Sequence, residues 1–265
     1  MVPGKPKPLV TRLWFRIGLA MLFVFVPSYS ALGHTRVEVV DVVASVLAHP
    51  LAYAIPIALP IAKVLLMLAL VAPCFAKRLV GAKRLPILYY ASVLFVVAIF
   101  QNMGVTSRFG FAWLIGNTMI MLVVAGACLH DFARRRTEID VSSLRRSRIW
   151  LVVPMLLAFF MPYTTDASGH VLFSLSTILT NEAGLTYCMI TPVVIGVMLI
   201  FPGSVYKPTL SLVSFVALML ALTNVIVWFV LQPENWWMGV LHVPLFATSI
   251  YGFYSSRYTM PRPFR

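Results

Sequence analysis

Residues 51–76 read LAYAIPIALPIAKVLLMLALVAPCFA and carry one charged side chain, Lys63. The hydrocarbon core of a bilayer takes about 20 consecutive apolar residues as a helix. This run is longer than that. Comparable runs recur at 13–31, 86–104, 110–130, 149–164, 185–202, 208–231 and 236–254. The sequence therefore predicts an all-α polytopic membrane protein with about eight transmembrane helices, forming a single membrane domain over residues 1–265.

Composition leads to the same class. Hydrophobic residues make up 60% of the chain and charged residues 11%, against about 45–50% and about 25% in soluble domains. Mean hydropathy is +0.91. The longest clearly polar stretch is 131–148, too short for a separate soluble domain. The three cysteines, Cys74, Cys128 and Cys188, form no CxxC pair and read as packing residues, not as a disulfide framework or zinc site.

The net charge of +13 would suggest nucleic acid in a soluble protein. In a membrane protein it reports orientation, because Lys and Arg collect on the cytoplasmic side, and no nucleic-acid partner is expected. Along an eight-helix path, eighteen of the 21 basic residues fall on one face. They cluster in the N-terminal tail (Lys5 to Arg16), at Lys77–Arg84, within 134–148, at Lys207, and in the tail from Arg257. Only Arg36 and Arg108 fall on the other face, and Lys63 lies inside a helix. Both termini are thus expected in the cytoplasm. Glu38, Asp41, Asp166, Glu182 and Glu234 fall outside.

The two halves correspond. Thr11-Arg12-Leu13-Trp14 matches Ser147-Arg148-Ile149-Trp150, Pro27 and Tyr29 echo Pro162 and Tyr163, and Gly33-His34 matches Gly169-His170. Leu51 and Tyr53 match Leu185 and Tyr187, and Pro60 lies close to Pro192. Four helices separate the copies, so they share one orientation, as parallel repeats over 11–131 and 147–257 related by an axis along the membrane normal. Ser28-Tyr29-Ser30-Ala31 resembles a signal-peptide cleavage site, but a first helix with an internal counterpart is expected to be retained. After each Gly-His comes an outer segment, 35–50 or 171–184, with apolar residues at helical spacing. Each reads as an interfacial or re-entrant helix, or as an extension of its neighbour.

Few residues carry chemistry. Lys63 is costly within a span and is a functional candidate by default, able to meet an anion, although it could snorkel towards the inner end of its helix. Pro56 and Pro60 in the second helix, and Thr191-Pro192 with Gly196 in the sixth, suggest bent helices at equivalent places, which point to a binding site. Asn181 and Glu182 open the sixth helix from outside, with Tyr187 one turn further in and Tyr53 as its counterpart. Asn224 and Trp228 share a face of the seventh helix, and Asn117 and Thr118 lie in the fourth; any of these can line a cavity or tie helices together. His34 and His170 could face each other and bind a metal, but no HxxxH or HxxE spacing supports one, so a capping role is expected and no cofactor is. His49, His130 and His242 lie near helix ends, with no facing pair for haem.

Walker A, GxSxG and HExxH sequences are absent. The expected function is transport of a small organic, in particular anionic, molecule, with Lys63, Tyr53, Asn181, Glu182, Tyr187 and Asn224 as the binding set. Two alternatives stand beside it. One is a non-catalytic subunit of a larger membrane complex. The other is a membrane enzyme acting on a lipid or isoprenoid, with Glu182, Asp166 or a histidine as acid or base.

Overall fold

The computed structural model describes residues 8–161, 163–165 and 171–257. Among these are nine α-helices: α1 (Leu13–Phe25), α2 (Val39–Ala48), α3 (Ala58–Val71), α4 (Leu85–Val96), α5 (Ile115–Ala133), α6 (Val152–Phe160), α7 (Tyr187–Ile200), α8 (Lys207–Ile226) and α9 (Trp236–Arg257). Four helical stretches are long and apolar enough to cross a membrane: Ala58–Phe75, Ala82–Gln101, Ile115–Ala133 and Lys207–Leu231. Two shorter helices, α1 and α7, are also apolar. Each of the eight runs expected to be helical contains one helix, and α2 is the ninth.

The helix ends follow from local chemistry. Pro86 and Pro208 each occupy the second position of their helix, where a missing amide costs nothing because first-turn amides have no intrahelical acceptor. Both helices end in a five-residue π turn, Val97–Gln101 after α4 and Val227–Leu231 after α8. Between α4 and α5 the chain is not helical as far as the hydropathy suggested. Residues Met103–Thr106 (β2) and Gly110–Trp113 (β3) pair antiparallel, and Tyr29–Ser30 (β1) adds to the free edge of β3. Gly110 turns the hairpin at a positive φ of 64°, which glycine adopts without Cβ strain.

The outer segments differ. Residues 35–50 contain α2, as their spacing suggested, and Val42 and Val46 pack with Phe109, Ala112 and Leu114 in a small core of their own. The second segment forms no α-helix: Val171–Phe173 (β5) pairs with Tyr163–Thr165 (β4), then turns lead to a short 3-10 helix at Glu182–Gly184. Ser174, Ser176, Thr177 and Thr180 hydrogen-bond locally within these turns, and such bonds compete with helix formation.

The core centres on α7, in which every residue from Met189 to Ile200 is buried. It packs against α4, α6, α8 and α9. Small residues permit the closest crossings: a Cβ on Gly116 of α5 would stand 2.9 Å from the Leu22 carbonyl of α1. Leu13, Trp14, Val24 and Phe25 on α1, and Val153, Leu156 and Leu157 on α6, stay exposed. Such apolar faces suit lipid.

The polar stretch 131–148 is closely tied down. The buried Asp131 carboxylate accepts from the Thr137 amide (2.8 Å) and hydroxyl (2.7 Å). The same hydroxyl accepts from the Tyr206 amide at 3.0 Å. Lys83 pairs with Asp140 at 2.7 Å, and the Arg145 amide reaches the Ile200 carbonyl at 2.9 Å. Asp131→Ala leaves buried donors of Thr137 without an acceptor, at about 1–3 kcal/mol for an unsatisfied group. A melting temperature lowered by several degrees is expected in detergent solution. An unchanged value would show that this loop contributes nothing to stability.

At the opposite side, Arg108 donates to Glu38 (2.7 Å) and to Asp41 (3.0 Å), joining the β2–β3 hairpin to the start of α2. The Thr35 amide, then the Thr35 hydroxyl and then Arg108, lower the Glu38 carboxyl from 4.5 to about 2. A depressed folded-state value contributes stability above the ordinary carboxylate range, and that contribution is lost as pH falls from about 4.5 towards 2. Hydrogen exchange at 36–41 should accelerate over that window in wild type, and less steeply in Glu38→Gln. Identical profiles for the two proteins would contradict this assignment.

Candidate functional site

Lys63 lies at the sixth position of α3 and is fully buried. Its ammonium donates to the Ile178 carbonyl in the turns before Glu182–Gly184 and stands 5.3 Å from the ring centroid of Phe159 on α6. Among the described residues it forms no ion pair. On insertion scales a charge at the centre of a spanning helix costs about 2.5–3.5 kcal/mol, more than for Lys63 in the second turn of α3. A hydrogen bond from a charged group contributes about 1.5–3 kcal/mol, and a desolvated cation–π contact about 2. The two contacts therefore offset the cost of burial, and snorkelling to the inner end of α3 does not occur.

The segment that supplies Ile178 is positioned by Asn181. Its side-chain amide donates to the Phe160 and Met161 carbonyls, both at 2.9 Å, at the end of α6. Its oxygen accepts from the Ala183 amide at 3.2 Å. One side chain thus caps a helix end and starts the Glu182–Gly184 turn. Gly184 then meets α3 directly, since a Cβ there would stand 2.8 Å from the Lys63 backbone nitrogen.

Glu182, half-buried in that turn, makes no ion pair among the described residues. Its carbonyl accepts from the Thr186 hydroxyl at 2.9 Å, and Thr186 in turn meets the Tyr53 hydroxyl at 2.6 Å. Lys63, Tyr53, Asn181 and Glu182 are therefore brought together around one short segment, 178–186.

No family model, curated protein or solved structure matches the chain.

The remaining candidates are placed elsewhere. Tyr187 points into the core, where its hydroxyl has no hydrogen-bond partner beside the Tyr90–Thr191 pair, itself 3.0 Å apart. It does not mirror Tyr53. Asn224 donates to the Leu220 carbonyl (2.8 Å) and accepts from the Trp228 indole (3.2 Å), so its bonds stay on one helix. His34 meets the Ser30 hydroxyl at 2.8 Å. His170, and Asp166 of the enzyme reading, lie outside the described residues. Among the described residues no group of His, Cys, Asp and Glu could hold a metal.

The expected bends also differ. Pro56 precedes α3 and Pro60 sits in its first turn, where proline frees no interior carbonyl. Of these three, Pro192 alone is inside its helix, removing the amide that would bond the Cys188 carbonyl. Leu66 of α3 clusters with Ala158 and Phe159 of α6 and with Met189 and Val193 of α7.

Hydropathy missed Gln101, whose side-chain oxygen accepts from the Tyr187 amide at 3.0 Å and so satisfies an orphan amide at the start of α7. The polar pair Gln101-Asn102 reads as punctuation between helices, which hides its role. Arg16 and Arg148 were equally hidden among the loop charges. Both are buried: Arg16 donates to Ser211 at 2.6 Å and Arg148 to the Leu199 carbonyl at 2.8 Å. In the sequence correspondence Arg148 matches Arg12, which is exposed, so the two buried arginines occupy different registers.

Proposed function

We propose that the chain is a multi-pass membrane transporter of a small organic anion, crossing the bilayer eight times with both termini in the cytoplasm. The observation that carries this reading is a fully buried ammonium within a span, held by a backbone carbonyl of an outer non-helical segment and by an aromatic face. Neither contact neutralises the charge. Withdrawal of the 174–184 segment would release the ammonium to an incoming carboxylate or phosphate, with Glu182 and the Tyr53–Thr186 pair on the approach.

The orientation rests on the charge split between loops. Parallel repeats over 11–131 and 147–257 are supported by more than residue matches. The helix after α3 in the first half, α4, and the helix after α7 in the second, α8, each start with proline at the second position and end in a π turn. In addition, α1 packs on α5 as α6 packs on α9.

Melting curves of purified wild type and Lys63→Met, with a panel of small mono- and dicarboxylates and phosphate esters, test the reading. At least one anion should stabilise wild type and not the variant. No stabilisation by any member, or equal stabilisation of both, counts against it. A second reading, a non-catalytic subunit of a membrane complex, is favoured by the close packing around Lys63. It requires a stable partner to co-elute with the chain from a mild-detergent extract.

A further inference from the structure

Two loops meet on the face where α3 and α5 end and α4 begins. The Ile139 amide donates to the Lys83 carbonyl at 2.7 Å, and the Arg84 guanidinium lies over the Phe132 ring, 5.4 Å from its centroid. These contacts join 76–84 to 132–140. Each loop leaves its spanning stretch with cations. Lys77 and Arg78 come just after the stretch ending at Phe75, and Arg134, Arg135 and Arg136 follow directly on Ala133. All five side chains are exposed, and none forms an ion pair among the described residues. The acids of the same stretch are already engaged. Asp131 is buried on Thr137, Asp140 holds Lys83, and Glu138 stands 3.9 Å from Arg84. Arg136 is steadied over the Tyr206 ring, at 4.7 Å.

An apolar corner stands among these cations. The Ala82 amide donates to the Leu79 carbonyl at 3.2 Å, and Gly81 takes a positive φ of 81°, so residues 79–82 form a tight turn with Val80 at its tip. Val80 is 98% exposed and Leu79 50%. Membrane orientation accounts for the sign of the charges, but not for a valine displayed at the tip of a basic loop. Water offers such a side chain no gain, whereas the boundary between headgroups and acyl chains takes up apolar residues flanked by cations. We propose that this face binds the headgroups of anionic phospholipids, with Leu79 and Val80 entering the bilayer interface between them. Cations one to three residues beyond a spanning stretch lie at headgroup level, where clusters of about four to eight Lys and Arg attract anionic lipid. An acidic protein would pair with the arginines but would leave the apolar tip in water. Binding there needs these spans to cross a bilayer and nothing of Lys63, and so goes beyond the transport reading.

The melting temperature of the full chain in neutral detergent is followed with phosphatidylglycerol, phosphatidylcholine or inorganic phosphate, at constant ionic strength. Phosphatidylglycerol should stabilise wild type more than phosphatidylcholine does, and inorganic phosphate should not substitute for it. Arg134→Gln/Arg135→Gln/Arg136→Gln on one loop, and Lys77→Gln/Arg78→Gln on the other, should each weaken phosphatidylglycerol binding at least about tenfold. Val80→Asn keeps every charge and should weaken it as well, which charge pairing alone does not require. All three variants alter exposed side chains and should melt near wild type without lipid. Lys63→Met should bind phosphatidylglycerol as wild type does, so failure of the transport reading and failure of this one are read separately. Equal stabilisation by the two lipids, an equal effect of inorganic phosphate, or undiminished affinity in either charge variant overturns the lipid site. Undiminished affinity in Val80→Asn overturns the insertion of the tip. An acidic protein that co-elutes with wild type but not with the 134–136 variant, with phosphatidylglycerol inert, assigns the face to a protein partner instead.

Discussion

Lys63→Glu is expected to eliminate folded protein, whereas Lys63→Met retains it. At this position a carboxylate would face the Ile178 carbonyl oxygen, an acceptor, and the negative face of the Phe159 ring. Both contacts change from attraction to repulsion, and the desolvation of the charge remains. An uncompensated buried charge costs several kcal/mol, a large part of the 5–15 kcal/mol that holds a typical domain together. Methionine keeps the length and apolar character of the lysine stem. It leaves the Ile178 carbonyl without its donor, at about 1–3 kcal/mol, but it also removes the cost of burying the ammonium. These opposing effects predict a net change within about 2 kcal/mol. Detergent-solubilised yield, elution profile and melting temperature measure both variants. If Lys63→Glu accumulates and melts like wild type, position 63 is not buried among these groups. If Lys63→Met instead fails to fold, the ammonium is a structural clamp first, and the transport reading loses its main support.

The two variants also show where sequence reasoning succeeds. A charge inside an apolar run stands out, so Lys63 was legible without a structure, and so were the helical segments, because backbone hydrogen bonds must be satisfied within each segment in lipid. What surrounds Lys63 was not. A helix apolar on all faces, such as α7, gives no signal of which side meets which neighbour. Tyr187 therefore reads as the counterpart of Tyr53 but turns inward to Tyr90 and Thr191. Proline has the same ambiguity: Pro60 and Pro192 look alike in sequence, yet only the second lies beyond the first turn, where a missing amide affects a carbonyl. Asn181 was picked out as polar at the mouth of a helix. Its actual partners, the carbonyls of Phe160 and Met161, are backbone groups 21 and 20 residues away in the sequence, and no side-chain pattern announces them. At the Arg-rich end the count of charges was legible, but the division between exposed Arg146 and buried Arg148 depends on where the carbonyl end of α7 lies.

Gly184→Val is expected to have an effect nearly as large as Lys63→Glu, for a steric reason. A Cβ at position 184 would lie 2.8 Å from the backbone nitrogen of Lys63, and 3.1 Å from both the Ala62 Cβ and the Lys63 Cγ. The closest of these is backbone inside α3, which cannot step aside without shifting the helix. The turn must move instead, taking with it Asn181, which closes the end of α6, and Ile178, which accepts from Lys63. Overpacking alone costs about 1–3 kcal/mol. Loss of the Lys63 acceptor then exposes the desolvation cost of the ammonium, so the two penalties add at one site. Alanine at 184 adds the first carbon of the clash and should be intermediate. The prediction couples two residues that look unrelated in the sequence: in a Lys63→Met background the second penalty disappears, so Gly184→Val should lower the melting temperature less than it does in wild type. A double-mutant cycle measures this coupling. Strict additivity would mean that the turn and the buried ammonium are independent, and the 174–184 segment could not then act as the cover over Lys63 that the proposed transport requires.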